Sequence, residues 1–101
     1  MPQFTPVCKT TDIPAGSGKP VVAGGVTLAV FNINGAFHAI GNTCPHRGGP
    51  LGDGSVSGTV VTCPWHGFAF DCTTGENAEG RPMRVASYKT RLQNGMVEIE
   101  L

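Results

Sequence analysis

Apolar and polar positions alternate with a period of two along much of this chain, and a helical period is hard to find anywhere. Phe4 to Lys9 reads as a first strand, interrupted by Pro6. Lys19 to Val22 and Thr27 to Asn32 read as two strands around Gly24-Gly25, a pair suited to a tight hairpin. Asn34-Gly35 is a second hairpin signal, because both residues tolerate the positive φ of a type I′ turn. It joins "TLAVFNI" to "AFHAIG". Thr59 to Thr62 is β-branched and predicts a short strand, with Phe68 to Asp71 leading away from it. Near the end, "SYKTRLQNGMVEIEL" predicts another hairpin. There Tyr88, Thr90 and Leu92 alternate with polar neighbours, Asn94-Gly95 turns, and Met96 to Leu101 alternates again. The pattern predicts an all-β fold, a small antiparallel sandwich or barrel.

Composition narrows this to one domain spanning residues 1–101, since halves of a 101-residue chain would be too small for separate cores. Fifteen glycines and eight prolines are spread through the sequence, which suits short strands and many turns. A chain of this size often gains from an added staple such as a metal centre. Seven basic and seven acidic residues cancel and no run of like charge occurs, so the clustered basic patch of a nucleic-acid-binding face is missing. No basic stretch followed by an apolar one opens the chain, and apolar runs such as "VTLAVF" are far too short to span a bilayer. The expectation is a soluble, cytoplasmic protein with neither nucleic acid nor membrane as partner. In a reducing compartment its four cysteines are expected as thiols or metal ligands rather than disulfides.

Two stretches carry chemistry. "NTCPHRGGPLGDG" contains Cys44-x-His46 and "VTCPWHGFAF" contains Cys63-x-x-His66, with sixteen residues between His46 and Cys63. Two of the chain's three histidines and two of its four cysteines fall in this pattern. In each pair a proline directly follows the cysteine, and a glycine lies within two residues after the histidine. Buried thiols and surface histidines brought together by chance would not share that frame. A mononuclear zinc site is the sharper competitor, since Cys₂His₂ is a common zinc set. Zinc fingers, however, put both cysteines in one knuckle and both histidines on a helix. Here each loop supplies one of each, an arrangement that suits a two-metal cluster.

The spacing resembles the Rieske family, whose [2Fe–2S] cluster has two cysteines on one iron and two histidines on the other. The resemblance implies Cys44 and Cys63 as ligands of the buried iron, and His46 and His66 as ligands of the iron nearer the surface. It extends over nearly the whole chain: "GPLGDG", "CPWHGFAFDCTTGE" and the closing hairpin resemble the small soluble Rieske ferredoxins. Gly48, Gly49 and Gly67 would let the loop backbone approach the cluster, and Pro50 would stiffen the first loop. The fold implied is a small Rieske-like antiparallel β-sandwich with a cluster-binding subregion of two loops.

Departures from the family matter as well. Respiratory-chain relatives carry an extra cysteine in each loop, joined as a disulfide; the matching positions here are Gly49 and Trp65. Those relatives also place a serine and a tyrosine hydroxyl near the cluster sulfurs, where this chain has Phe68 and Phe70. With fewer donors to a cluster that gains negative charge on reduction, the expected potential lies towards the low end of the Rieske range, roughly −150 to +300 mV. Cys8 and Cys72 are expected as buried small hydrophobes, and His38 as a structural or surface histidine. Trp65 could shield the cluster, belong to a docking surface, or simply pack over the loop. Arg47 reads as a solvated arginine beside a ligand.

No nucleotide-binding glycine fingerprint and no facial triad of two histidines and a carboxylate occur in the sequence. The resemblance therefore implies an electron carrier and not an enzyme. It would pass electrons from an NAD(P)H-oxidising flavoprotein reductase to the terminal oxygenase of a ring-hydroxylating dioxygenase system. It would dock through loops 44–50 and 63–68. Two alternatives stay open at this level: the small Rieske-like subunit of an NAD(P)H-dependent nitrite reductase, and a zinc-stabilised binding module.

Overall fold

The computed structural model describes residues 3–44, 48–65 and 67–100. Ten strands and two single 3-10 turns occur among them, with no α-helix. None of the described segments is a helix long and apolar enough to cross a membrane.

Local turn chemistry sets the strand order. β2 (Ser17–Ala23) and β3 (Val26–Ile33) pair antiparallel, with Ala23 opposite Val26, so Gly24-Gly25 makes the turn at φ 58° and 77°. β3 returns as β4 (Ala36–Gly41) through Asn34 (φ 54°) and Gly35 (φ 87°). β9 (Thr90–Gln93) returns as β10 (Met96–Glu100) through Asn94 (φ 55°) and Gly95 (φ 76°). Each is the two-residue, positive-φ connection that matches the twist of paired strands. β1 (Phe4–Lys9) pairs with β10, and its register shifts between Pro6 and Cys8. Proline has no N–H for the ladder, so the predicted interruption takes the form of a bulge.

Three antiparallel sheets result, ordered β1-β10-β9, β2-β3-β4-β8 and β5-β6-β7. The last is made of β5 (Ser55–Ser57), β6 (Val60–Thr62) and β7 (Ala69–Asp71), while β8 is Ser87–Tyr88. β3 explains the stacking. Its Leu28 and Val30 join Val21, Phe37, Val97 and Ile99 in one core. Its Ala29 and Phe31 point the other way, into a second core with Ile40, Leu51, Val61 and Phe70. Successive side chains leave opposite faces of a strand, so a strand covered on both faces reads as the unbroken run "LAVF". The second core is the one that holds Cys44 and Cys63.

The C-terminal pattern needs one correction. Tyr88 does not open the last hairpin; Ser87–Tyr88 pairs with Ile40 and Ala39 of β4, in the four-stranded sheet. Alternation runs on through Lys89 to Thr90, so periodicity alone cannot show that the chain changes sheets there. The change is secured by the Thr90 hydroxyl, which donates to the Phe37 carbonyl at 2.6 Å. β5 carries no signal in the sequence, because three residues are too few to establish a period.

Candidate metal centre

Both cysteine loops grow out of paired backbone, and both close in the same way. In the first, Thr43 and Pro50 form a bridge, the Cys44 N–H donates to the Gly49 carbonyl (2.9 Å), and the Gly48 N–H donates to the Cys44 carbonyl (2.7 Å). In the second, Thr62 pairs with Ala69, the Cys63 N–H donates to the Phe68 carbonyl (2.7 Å), and the Gly67 N–H donates to the Cys63 carbonyl (3.2 Å). Gly48 and Gly67 hold equivalent places with φ of 76° and 74°, a conformation that suits glycine. The offset between Cys-x-His and Cys-x-x-His therefore sits inside two loops of equal length. His46 and His66, the other two residues of the expected ligand set, lie outside the described residues, as does Arg47.

The first loop is also anchored from behind. Asn42 is buried, and its side-chain oxygen accepts from the Gly52 N–H at 2.8 Å, while its carbonyl accepts from Leu51 at 2.7 Å. This ties the approach to Cys44 to the 3-10 turn Leu51–Asp53 that follows the loop. Cys44 and Cys63 are 1% and 2% exposed and share one apolar cluster, so the fold brings the two predicted thiols to the same buried region.

The loops touch through a missing side chain. A β-carbon at Gly49 would lie 2.6 Å from Cys63 Sγ and 3.1 Å from the Trp65 indole. Positions 49 and 65 are the two that the resemblance matched to the respiratory disulfide. Here Trp65 lies over the bare glycine instead and remains 58% exposed. Phe70 is fully buried, and Phe68 is half-buried against the same core. Neither side chain carries a hydroxyl to direct at a sulfur.

The other singled-out residues fall outside the loops. Cys8 and Cys72 are buried in opposite cores, as expected of small hydrophobes. Burial, reinforced by Asp71, pushes the Cys72 thiol up to about 12. Burial, then Asp12, raises Cys8, with Lys19 opposing. His38 sits in β4 opposite Phe31.

One contributor went unnoticed in the sequence. Residues 76–84 lie against the second loop: the Arg81 guanidinium stacks 4.3 Å over the Phe68 ring, and the Ala78 N–H donates to the Ala69 carbonyl at 2.8 Å. Glu79 Oε1 accepts weakly from the Ala69 N–H at 3.4 Å. Asn77 shapes this segment, its side-chain oxygen accepting from the Glu79 and Arg81 amides at 2.8 and 3.2 Å. The sequence signal was the run of turn formers from Gly75 to Pro82, which shows no period and so pointed to no element.

The two described thiols fit the cluster that the spacing implies. Two buried thiols converge from two backbone-closed loops, and Gly49 leaves beside Cys63 Sγ the room that any side chain would fill. Comparison with known proteins agrees. The mouse apoptosis-inducing factor 3 is 41% identical over 70 residues, 69% of this chain but 12% of that protein's length. The ferredoxin component of the naphthalene 1,2-dioxygenase system of Pseudomonas putida is 31% identical over 93 residues, covering 90% of this chain and 88% of the relative.

Among solved structures, the Sphingomonas yanoikuyae B1 ferredoxin superposes with a TM-score of 0.88 at 29% identity, covering 98% and 99% of the two chains. A chain from the complex of reduced oxygenase and oxidised ferredoxin in carbazole 1,9a-dioxygenase gives 0.85 at 30%, covering 96% and 92%. A protein named as the NADH-dependent nitrite reductase small subunit of Mycobacterium tuberculosis gives 0.91 at 24%, covering 100% and 96%, which shows a shared fold. The Rieske [2Fe–2S] domain matches residues 3–89. On that match and this geometry, the chain belongs to the Rieske [2Fe–2S] domain family, whose cofactor is a [2Fe–2S] cluster of the Rieske type.

Proposed function

We propose that this chain is a one-electron carrier, reduced by an NAD(P)H-dependent flavoprotein reductase and oxidised by the terminal oxygenase of a dioxygenase system. The observation that carries the proposal is the near end-to-end match with a ferredoxin component of similar length. The carbazole complex adds a precedent, since a chain of this fold is there named as a ferredoxin together with an oxygenase.

Residues 1–101 act as one domain in this reading. Cys44 and Cys63 would hold one iron of the cluster, and His46 and His66 the other. When bound, the cluster supplies reversible one-electron chemistry. The chain's own part is to fix both thiols on closed loops, exclude water from them with Leu51, Val61 and Phe70, and offer the rim of residues 44–50 and 63–68 to its partners. Exposed Trp65 supports that use of the rim, because large aromatic side chains anchor protein interfaces.

The test is an anaerobic reductive titration of the iron-loaded chain with gel filtration alongside. Uptake of a single electron by a monomer, with a rhombic reduced-state EPR signal, is expected. That chain should also relay electrons from NADH through a flavoprotein reductase to a terminal oxygenase. A colourless zinc protein would overturn the cluster assignment. A tight complex with a sirohaem protein would replace the carrier reading by the nitrite reductase subunit.

A further inference from the structure

Beside the second cysteine loop, residues 76–84 enclose an open cavity of about 350 Å³. Its lining includes Glu76, Asn77, Arg81, Met83 and Arg84. Both guanidiniums have hydrogen-bonding capacity to spare. Each carries five N–H donors, yet among the described residues Arg84 makes one long contact to the Thr74 carbonyl (3.4 Å), and Arg81 approaches Glu79 at 3.8 Å while stacking on Phe68.

In the wall, Asn77 is 8% exposed, and its Nδ2 is buried with no hydrogen-bond partner among the described residues. The orientation of that amide is not arbitrary. Two backbone N–H groups donate to Oδ1, which leaves the NH₂ as the unanswered donor. The side chain of Asn77 thus holds the turn that carries Arg81. With one carboxylate, Glu76, against two guanidiniums, the lining favours an anion, and guanidiniums match the planar, two-oxygen geometry of a carboxylate.

The position of the cavity decides which carboxylate. Arg81 is seated on Phe68, whose carbonyl closes the Cys63 loop, and the exposed Trp65 belongs to that same loop. Tryptophan and arginine are the residue types that dominate binding energy at interfaces. We propose that the cavity receives an aspartate or glutamate side chain of the electron-transfer partner, held between Arg81 and Arg84, while Trp65 makes the neighbouring apolar contact. The docking face thereby extends from the cysteine loops onto residues 76–84. This rests on the carrier reading above.

The test separates the cavity from the carrier role. Calorimetric titration of the cluster-loaded protein with N-acetylaspartate α-amide, whose one charge is the side-chain carboxylate, should show saturable binding in the millimolar range, with none for the neutral N-acetylasparagine α-amide. Arg84→Gln should weaken that binding about tenfold, the size expected for one charge-assisted hydrogen bond. Arg81→Gln should do likewise, since it removes the second guanidinium that would hold the carboxylate. The same two variants should slow reduction of a terminal oxygenase at low salt by a similar factor, with the midpoint potential measured in parallel. Wild-type binding in both variants, or inorganic phosphate binding as tightly as the aspartate amide, would overturn the inference. Oxygenase reduced equally fast by wild type and variants would overturn it too, while leaving the carrier reading intact. Failure of the wild-type protein to reduce any oxygenase would instead refute the carrier reading.

Discussion

In the first loop the Cys44 N–H meets the Gly49 carbonyl, and in the second the Cys63 N–H meets the Phe68 carbonyl. The backbone device is the same, but its support differs. The second loop is the tip of a regular hairpin, β6 running into β7, so three ladder pairs hold its base. Among the described residues the first has only the Thr43–Pro50 bridge, and depends on the buried Asn42 side chain and the Leu51–Asp53 turn. The residues five places after each cysteine differ accordingly. Gly49 gives way, and the Cys63 thiol and Trp65 occupy the space. Phe68 instead provides a surface, on which Arg81 stacks. One loop is a socket held by side chains; the other is a plug held by strands.

The largest effect tests what the two loops share. Cys44→Ser and Cys63→Ser should each abolish the cluster, read as loss of visible absorbance and of bound iron. A variant that kept a full Rieske EPR signal would remove that cysteine from the ligand set.

The next change breaks the socket. Gly49→Ala drives a β-carbon into Cys63 Sγ and Trp65, and should destabilise the loaded protein by roughly 1–3 kcal/mol, the usual cost of overpacking. Glycine's φ is not the issue there, so the paired variant Gly49→Ala/Trp65→Ala should recover the part due to the indole. Thermal melts of both, with iron content, measure the difference.

Asn42→Ala separates the supports. It strands the buried Gly52 N–H, and should cost on the order of 1–3 kcal/mol. Hydrogen exchange should rise at Gly48 and Leu51 but stay unchanged at Gly67. Equal loosening of both loops would show that they are not independently held.

A smaller effect concerns the plug. With Phe68 and Phe70 in place of hydroxyl-bearing residues, the midpoint should fall near the lower end of a range of roughly −150 to +300 mV. A redox titration that placed it near the upper end would contradict this.

Last comes the core behind the loops. Burial pushes the Cys72 thiol from 9.0 up to about 12. For an acid that is neutral when protonated, a raised folded value means the unfolded chain loses its proton first as pH rises. Stability should therefore be intact below pH about 9 and decline from there towards about 12. Cys72→Ala should flatten that alkaline decline in melts recorded across the interval.

Much of the fold was legible because it is encoded locally. Asn34-Gly35 and Asn94-Gly95 set their hairpins through the φ values that two residues can adopt, and Pro6 disrupts a ladder by lacking an N–H. The Cys/His spacing was equally plain, because loop ligands close together in sequence constrain one another over a few bonds. The burial of Cys8 and Cys72 followed from the apolar character of a thiol. What stayed hidden depends on residues far apart in the chain. Nothing around Tyr88 indicates that it pairs with Ala39. The resemblance implies that residue 65 lies against Gly49, but nothing around Gly49 indicates that the Cys63 thiol lies closer still. The turn-rich run 76–84 likewise gives no sign that Arg81 stacks on Phe68 or that Asn77 keeps an unanswered donor. The sequence by itself determined the strands, their turns and the chemistry of the two loops, since those follow from each residue's own dihedral and donor properties. Only the tertiary structure decided which loop yields to the other and what stands beside them, because packing complementarity exists only once distant segments share a core.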